Sequence, residues 1–292
     1  MRAAAAGMAV LATSAAAEAR QVVGQELHHR VQAGDTLRSL SARYAVEPAT
    51  LARLNGLPRG AALEVGDELH IASHHVVPEA IEDGIVVNVP QRMLFLFQGG
   101  ELKGHYPVGI GRRGWTTPAG SYRIVEKERD PSWEVPRSIQ SEMRRHGRRA
   151  VKRMAPGPDN PLGQYWMGLS RSGIGIHGTP QTSSLFGFVS HGCIRMHPED
   201  IEAVFEEVEV GTPVRIVYEP VLLGRDEDGG LVLEVHPDAY RRGGNPLAEI
   251  QRQADALGAS ALVDWGAVRD ALRDRAGTAV AIGGATVDLD ED

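Results

Sequence analysis

The sequence predicts a mainly β protein with a small α+β unit in front and an α/β extension behind. From Gly84 to Tyr218 the apolar residues fall in short β-type runs broken by Gly and Pro. Between His28 and Ser73 two helical segments lie between two strand segments. Composition agrees, because 34 Gly, 17 Pro and only 5% aromatic residues favour turns and short strands over a helical bundle. At 292 residues the chain has room for about two domains and a real core. Its 31 Lys and Arg against 38 Asp and Glu leave a net charge of -7, so nucleic acid is not an expected partner.

Residues 1–19 read as an export signal. Arg2 gives a positive start, an Ala-rich apolar run follows, and Ala17-Glu18-Ala19 offers small residues for cleavage. The run Ala3–Ala17 falls short of the roughly 20 apolar residues that span a bilayer, so no membrane span is expected. The mature chain is then a soluble periplasmic protein starting near Arg20. One cysteine, Cys193, excludes an internal disulfide framework and a four-thiolate zinc site.

Residues 28–73 form the first predicted unit. Arg30-Val31-Gln32 is a short strand that Gly34-Asp35-Thr36 breaks, with Asp35 or Thr36 placed to cap a helix. Leu37, Leu40, Ser41 and Tyr44 follow at helical spacing. Pro48 restarts a helix carrying Leu51 and Leu54, which stops at Asn55-Gly56. Gly66-Asp67 turns the chain into the alternating strand Glu68-Leu69-His70-Ile71. The phrases VQAGDTLRSLSARY, LARLNGL and VGDELHI, in that order, resemble a LysM module. The resemblance implies a βααβ fold that binds the glycan of peptidoglycan.

Residues 74–83, opening on His74-His75, read as a solvated linker. Residues 84–219 then carry the strands Ile85–Val89, Met93–Phe97, Glu101–Tyr106 after a Gly99-Gly100 hairpin, Ser121–Val125, Arg171–His177, Gly192–Met196 and Thr212–Tyr218. A helix fits Pro198–Glu209, with Pro198 in the first turn and Glu199-Asp200 at its positive end. Pro136–Arg153 holds six Arg and one Lys against Glu142 alone. It reads either as a solvated helical excursion or as a basic lid that attracts anionic peptides. In residues 220–292 a strand at Leu231–Val235 precedes two amphipathic helices, Pro246–Leu257 and Val263–Arg275, and an acidic end at Asp288–Asp292 that is expected to fray.

The chemistry gathers between His177 and Met196. In an extended Ser190–Met196, His191, Cys193 and Arg195 share one side, which places an imidazole and a guanidinium beside the thiol. Such surroundings lower a thiol's pKa and favour a nucleophile. Gly192 permits a close approach, and the N–H groups around Cys193 are placed to form an oxyanion hole. His177 ends a separate strand and can serve as base. From residue chemistry alone two other readings stand: a metal site of His177, His191 and Cys193, and a buried structural cysteine.

The pieces Thr117-Pro118-Ala119-Gly120, Trp133 with Pro136, Gly157–Gly163, Ile176-His177-Gly178-Thr179 and Ser190-His191-Gly192-Cys193-Ile194-Arg195-Met196 together resemble the L,D-transpeptidase catalytic domain of the YkuD and ErfK/YbiS type. LEVHPD at 233–238 fits the extension of its periplasmic branch. The resemblance implies a β-sandwich-like core and a thioester mechanism without metal or organic cofactor. By position, Cys193 is the nucleophile, His177 the general base and Gly178 the carbonyl that orients it. His191, Gly192 and Cys193 shape the oxyanion site, and Arg195, Ser190 and Thr179 contact substrate. Cys193 attacks the third-residue carbonyl of a tetrapeptide stem, expels the terminal D-Ala and passes the acyl group to an amine. Another stem, an outer-membrane lipoprotein lysine, a free D-amino acid or water can each be the acceptor, the last making the protein a hydrolase. The competing class is a non-catalytic cell-wall scaffold, against which the His177, Cys193 and Arg195 set argues.

Overall fold

The strand pairing of residues 19–284, which the computed structural model describes, shows how the β-type runs are assembled. The expected leader apart from Ala19, and the acidic end, lie outside the described residues. The front unit begins with β1 (Val22–Val23) and β2 (Glu26–Arg30), followed by α1 (Leu37–Tyr44), α2 (Pro48–Leu54), β3 (Glu68–Ala72) and β4 (His75–Val76). Thr36 caps α1 by accepting from Ser39 N at 3.0 Å, and Pro48 sits in the first turn of α2. β2 lies antiparallel to β3, and Leu40, Val46, Leu51 and Ile71 close a small core. The first strand was expected at Arg30–Gln32; it ends there instead, because pairing with β3 selects Glu26–Arg30.

Next come β5 (Gly84–Asn88), β6 (Met93–Gln98), β7 (Glu101–Pro107), β8 (Ile110–Gly111), β9 (Gly120–Arg129) and β10 (Trp133–Glu134). They are followed by α3 (Arg137–Arg145), β11 (Arg153–Met154), β12 (Tyr165–Leu169), β13 (Gly175–Gly178), β14 (Phe188–Ser190), β15 (Ile194–Met196), α4 (Pro198–Glu207) and β16 (Pro213–Val217). Eight strands make one sheet in the order β15-β13-β12-β9-β16-β5-β6-β7. Two of its pairings are parallel, β13 with β15 and β16 with β5. Ile85, Val87, Leu94, Ile124, Met167 and Ile194 fill its core, against which α4 packs Ile201, Val204 and Phe205.

The expected strand Arg171–His177 is corrected in its first half. Leu169 N donates to Ile174 O at 3.0 Å, Ile174 N to Arg171 O at 3.1 Å, and Gly173 has φ +76°. Residues 170–174 therefore turn a hairpin between β12 and β13. β12 itself has no strand signal in the sequence reading, yet it lies between β9 and β13.

The rear part contains β17 (Val221–Arg225), β18 (Leu231–Val235), α5 (Pro246–Ala256), α6 (Trp265–Asp274) and β19 (Ala279–Gly283). The three strands form a separate sheet, and Leu223, Leu233, Ile250, Val268 and Ile282 share its core with the two helices. Residues 75–78 are buried, so only the second half of the 74–83 segment is a solvated tether. His75 and Val76 are buried because the buried carboxylate of Glu234 needs donors. His75 Nδ1 at 2.8 Å, His236 Nε2 at 2.7 Å, Val76 N at 2.6 Å and Gln91 Nε2 at 2.9 Å supply them.

The front unit is docked on the rest of the chain. Arg38 Nε donates to Ser183 O at 3.1 Å, and Thr50 Oγ1 donates to Ala276 O at 2.7 Å. Glu47 accepts from Arg92, whose guanidinium lies 4.0 Å from the centre of the Phe186 ring. Ala45 joins Phe95, Phe97 and Phe186 in one buried cluster.

Candidate active site

The parallel pair β13–β15 sets His177 opposite Arg195, with Cys193 immediately before β15. Ser190–Met196 is not one extended strand, which corrects the expected geometry. Its chain turns at Gly192, where φ is +113°, because Ser190 Oγ accepts from Gly192 N at 3.1 Å and donates to Cys193 O at 2.5 Å. Thr117 Oγ1 holds this turn from outside, donating to Gly192 O and accepting from Gly111 N, both at 2.9 Å. Thr117 N in turn donates to Tyr240 Oη at 3.2 Å, so a residue of the rear segment braces the turn.

Two residues expected to contact substrate are engaged within the protein. Ser190 is 2% exposed and its hydroxyl is engaged within the turn. Thr179 is equally buried, and its Oγ1 accepts from Gln181 N at 3.2 Å. Both shape backbone instead of facing solvent. The expected oxyanion donors are narrowed as well, since the Gly192 N–H is already directed at Ser190.

His177 is buried, and its Nδ1–H donates to Gly178 O at 2.6 Å, leaving Nε2 as the basic atom. Burial lowers the imidazole's pKa to about 4, helped by the nearby Arg195 charge and opposed by the bonds to the Gly178 and Leu162 backbone. The ring of Trp166 lies 6.0 Å from that of His177. Cys193 donates to Gly173 O at 3.5 Å. Burial raises its thiol pKa, while a Gly175 backbone bond and the Arg195 charge pull the other way and lose. The cationic surroundings therefore do not produce a preformed thiolate, contrary to the sequence expectation. Arg195 contributes a buried Nε without a hydrogen-bond partner among the described residues.

His191 has different company. Its Nε2–H donates to Glu142 Oε2 at 2.7 Å, and its ring meets Trp115 edge-on at 5.0 Å. Arg112 Nη2 donates to both oxygens of Glu142, at 2.6 and 2.8 Å, and lies 3.0 Å from His191 Nε2. Sequence reading missed Arg112, Trp115 and the role of Glu142. Nothing local marks them, except that Glu142 is the lone acid in a basic run. Among the described residues no three His, Cys, Asp or Glu side chains converge to hold a metal.

A single thiol, a neutral imidazole with one nitrogen fixed by a carbonyl, and a guanidinium whose Nε has no partner among the described residues lie on or next to adjoining strands, a set suited to cysteine acyl transfer. Residues 82–216 match the YkuD family, the L,D-transpeptidase catalytic domain, and residues 29–72 match the LysM domain. The chain is 31% identical over 242 residues to the probable L,D-transpeptidase YbiS of Escherichia coli, covering 80% of this chain and 74% of that one. It is 32% identical over 228 residues to the probable L,D-transpeptidase ErfK/SrfK of Salmonella typhimurium, covering 77% and 74% respectively. The chain belongs to the L,D-transpeptidase family, acyltransferases with a cysteine nucleophile.

Proposed function

We propose that this L,D-transpeptidase acts on peptidoglycan in the periplasm, with Cys193 as nucleophile and His177 as general base. The observation that supports it is the tautomer of His177. Its Nδ1–H is fixed on Gly178 O and its pKa is held at about 4, so Nε2 is an unprotonated base at neutral pH. Because the thiol's pKa is raised, the resting pair is thiol and neutral imidazole. The proton then moves from Sγ to His177 Nε2 as Sγ attacks the third-residue carbonyl of a tetrapeptide stem. The Cys193 N–H is the donor best placed to receive the developing oxyanion, since that of Gly192 is engaged. Collapse breaks the peptide bond, His177 returns the proton to the D-Ala nitrogen, and the thioester passes to an incoming amine. Arg195 steers a substrate carboxylate and stabilises charge at the thiol. That amine belongs to a second stem or to an outer-membrane lipoprotein lysine.

The LysM unit, in this reading, binds the glycan and holds the catalytic centre on the wall. A carbapenem tests the chemistry, because it offers a strained carbonyl to the same sulfur. Intact-protein mass should rise by one drug on the full chain, and peptide mapping should place it on Cys193. An adduct on a serine, or cross-linking of stems by folded Cys193→Ala, refutes the mechanism. Muropeptide analysis after incubation with purified sacculi identifies the acceptor, and D-Ala release without cross-links would make the enzyme a hydrolase.

A further inference from the structure

Within 136–153 seven cations surround one carboxylate, and that carboxylate is the group turned toward the centre. We infer that Arg112 and His191 form a binding site for a carboxylate of the substrate peptide, and that Glu142 of α3 fills it as an internal stand-in which substrate displaces. The inference deepens the transpeptidase reading and rests on it. Two donors converge on Glu142 as they would on a bound carboxylate, the Arg112 guanidinium on both oxygens and the His191 N–H on one. The site adjoins the thiol, since Arg112 N donates to Ser190 O at 3.0 Å and His191 precedes Cys193 by two residues.

The helix that carries the stand-in is lightly held. None of the residues of α3 is buried. Beneath it a cavity of about 300 Å³ is lined by Ile139, Met143, His146 and Arg148 together with Glu142 and His191. Moving α3 therefore gives up little apolar contact, and the Glu142 ion pair is the main attachment to the centre. Arg112 and, after it, His191 hold the Glu142 carboxyl down at about 2, so it remains ionised and in place at neutral pH. An arriving carboxylate exchanges like for like, and the seven cations of the segment favour an anionic peptide as the competitor.

The test uses the full chain carrying Cys193→Ala, so that binding is read without turnover. Two probes are titrated calorimetrically: a synthetic tetrapeptide stem with free carboxylates and its fully amidated counterpart. Adding Glu142→Gln should tighten the carboxylate peptide roughly tenfold, the scale of a charge-assisted hydrogen bond, and leave the amidated one within about twofold. Arg112→Gln should weaken the carboxylate peptide by about tenfold or more, and Arg112→Lys, which keeps the charge, should retain most of the affinity. The carboxylate peptide should also speed tryptic cleavage after Arg144 and Arg148 in the Cys193→Ala chain, an effect Glu142→Gln should reproduce without peptide. Equal affinity for the carboxylate peptide with and without Glu142→Gln overturns the site while leaving the transpeptidase reading intact. Binding of neither peptide to any folded variant refutes that reading, and this site with it.

Discussion

At Cys193 burial and charge pull in opposite directions, and burial wins. Alkylation of the thiol by iodoacetamide should therefore be slow near neutral pH and climb as pH rises above about 9. A rate already maximal at pH 7 would show a preformed thiolate and refute the neutral pair. As the proposed base His177 would be active when unprotonated, and its pKa is about 4. Carbapenem acylation should accordingly hold from neutral pH down to near pH 5 and fall as pH drops through about 4. His177→Ala should slow acylation by roughly 10²–10⁴-fold, measured by stopped-flow or intact mass against time. Cys193, His177 and Arg195 stood out in the sequence as candidates because their residue types carry the chemistry, and the strand pairing sets His177 opposite Arg195. The thiol's protonation state was not, because it depends on burial that no neighbouring letter records.

Among the elements, the turn between β14 and β15 decides where the thiol stands. Gly192 has φ +113°, and a Cβ there would lie 3.0 Å from Ile174 Cδ1. Gly192→Ala should cost about 1–3 kcal/mol in urea unfolding and lower acylation with the sheet retained in circular dichroism. Thr117→Val should act similarly through loss of the bonds to Gly192 O and Gly111 N, by about 1–3 kcal/mol. Unchanged acylation in both variants would show that the turn does not position the sulfur. Strands with uniform apolar runs, such as Met93–Gln98, were plain in the sequence, whereas β12 was not. Its YWMGL mixes aromatics with a glycine and owes its strand state to β9 and β13 on either side.

For the whole molecule, the junction at Glu234 joins the 74–83 segment, the main sheet and the rear sheet through His75, Gln91 and His236. Burial opposes ionisation of Glu234, but the two imidazoles outweigh it and hold its carboxyl at about 2. Its folded pKa thus lies below the ordinary 4.5, so its contribution is complete above about pH 4.5 and is lost as pH falls toward 2. His236 is pushed below 6.5 by burial, so the unfolded chain takes up its proton first and acid destabilises the fold from that side too. Glu234→Ala should cost about 3–5 kcal/mol near neutral pH, read as a lowered midpoint in urea, and should remove the loss of stability between about pH 4.5 and 2. An unchanged midpoint would show that the junction does not hold the parts together. Deleting residues 26–73 would strip Arg92 of Glu47 and uncover Phe186, two residues before β14 begins. The LysM unit is therefore expected to support acylation of soluble substrates as well as wall retention, and equal acylation rates with and without it would reduce it to an anchor.

What the sequence determined by itself was local and chemical. It set the apolar runs that form strands, the capped helices of the front unit, and a thiol with an imidazole and a guanidinium in a pattern suited to acyl transfer. Only the tertiary structure decided which groups met from afar. It brought Arg112 and Glu142 onto His191, set Tyr240 under the catalytic turn, and buried His75 against a carboxylate 159 residues away. The reason is physical: strand and helix formation answer to neighbours within a few residues, whereas ion pairing, desolvation and cavity shape depend on surfaces that exist only once distant segments have packed.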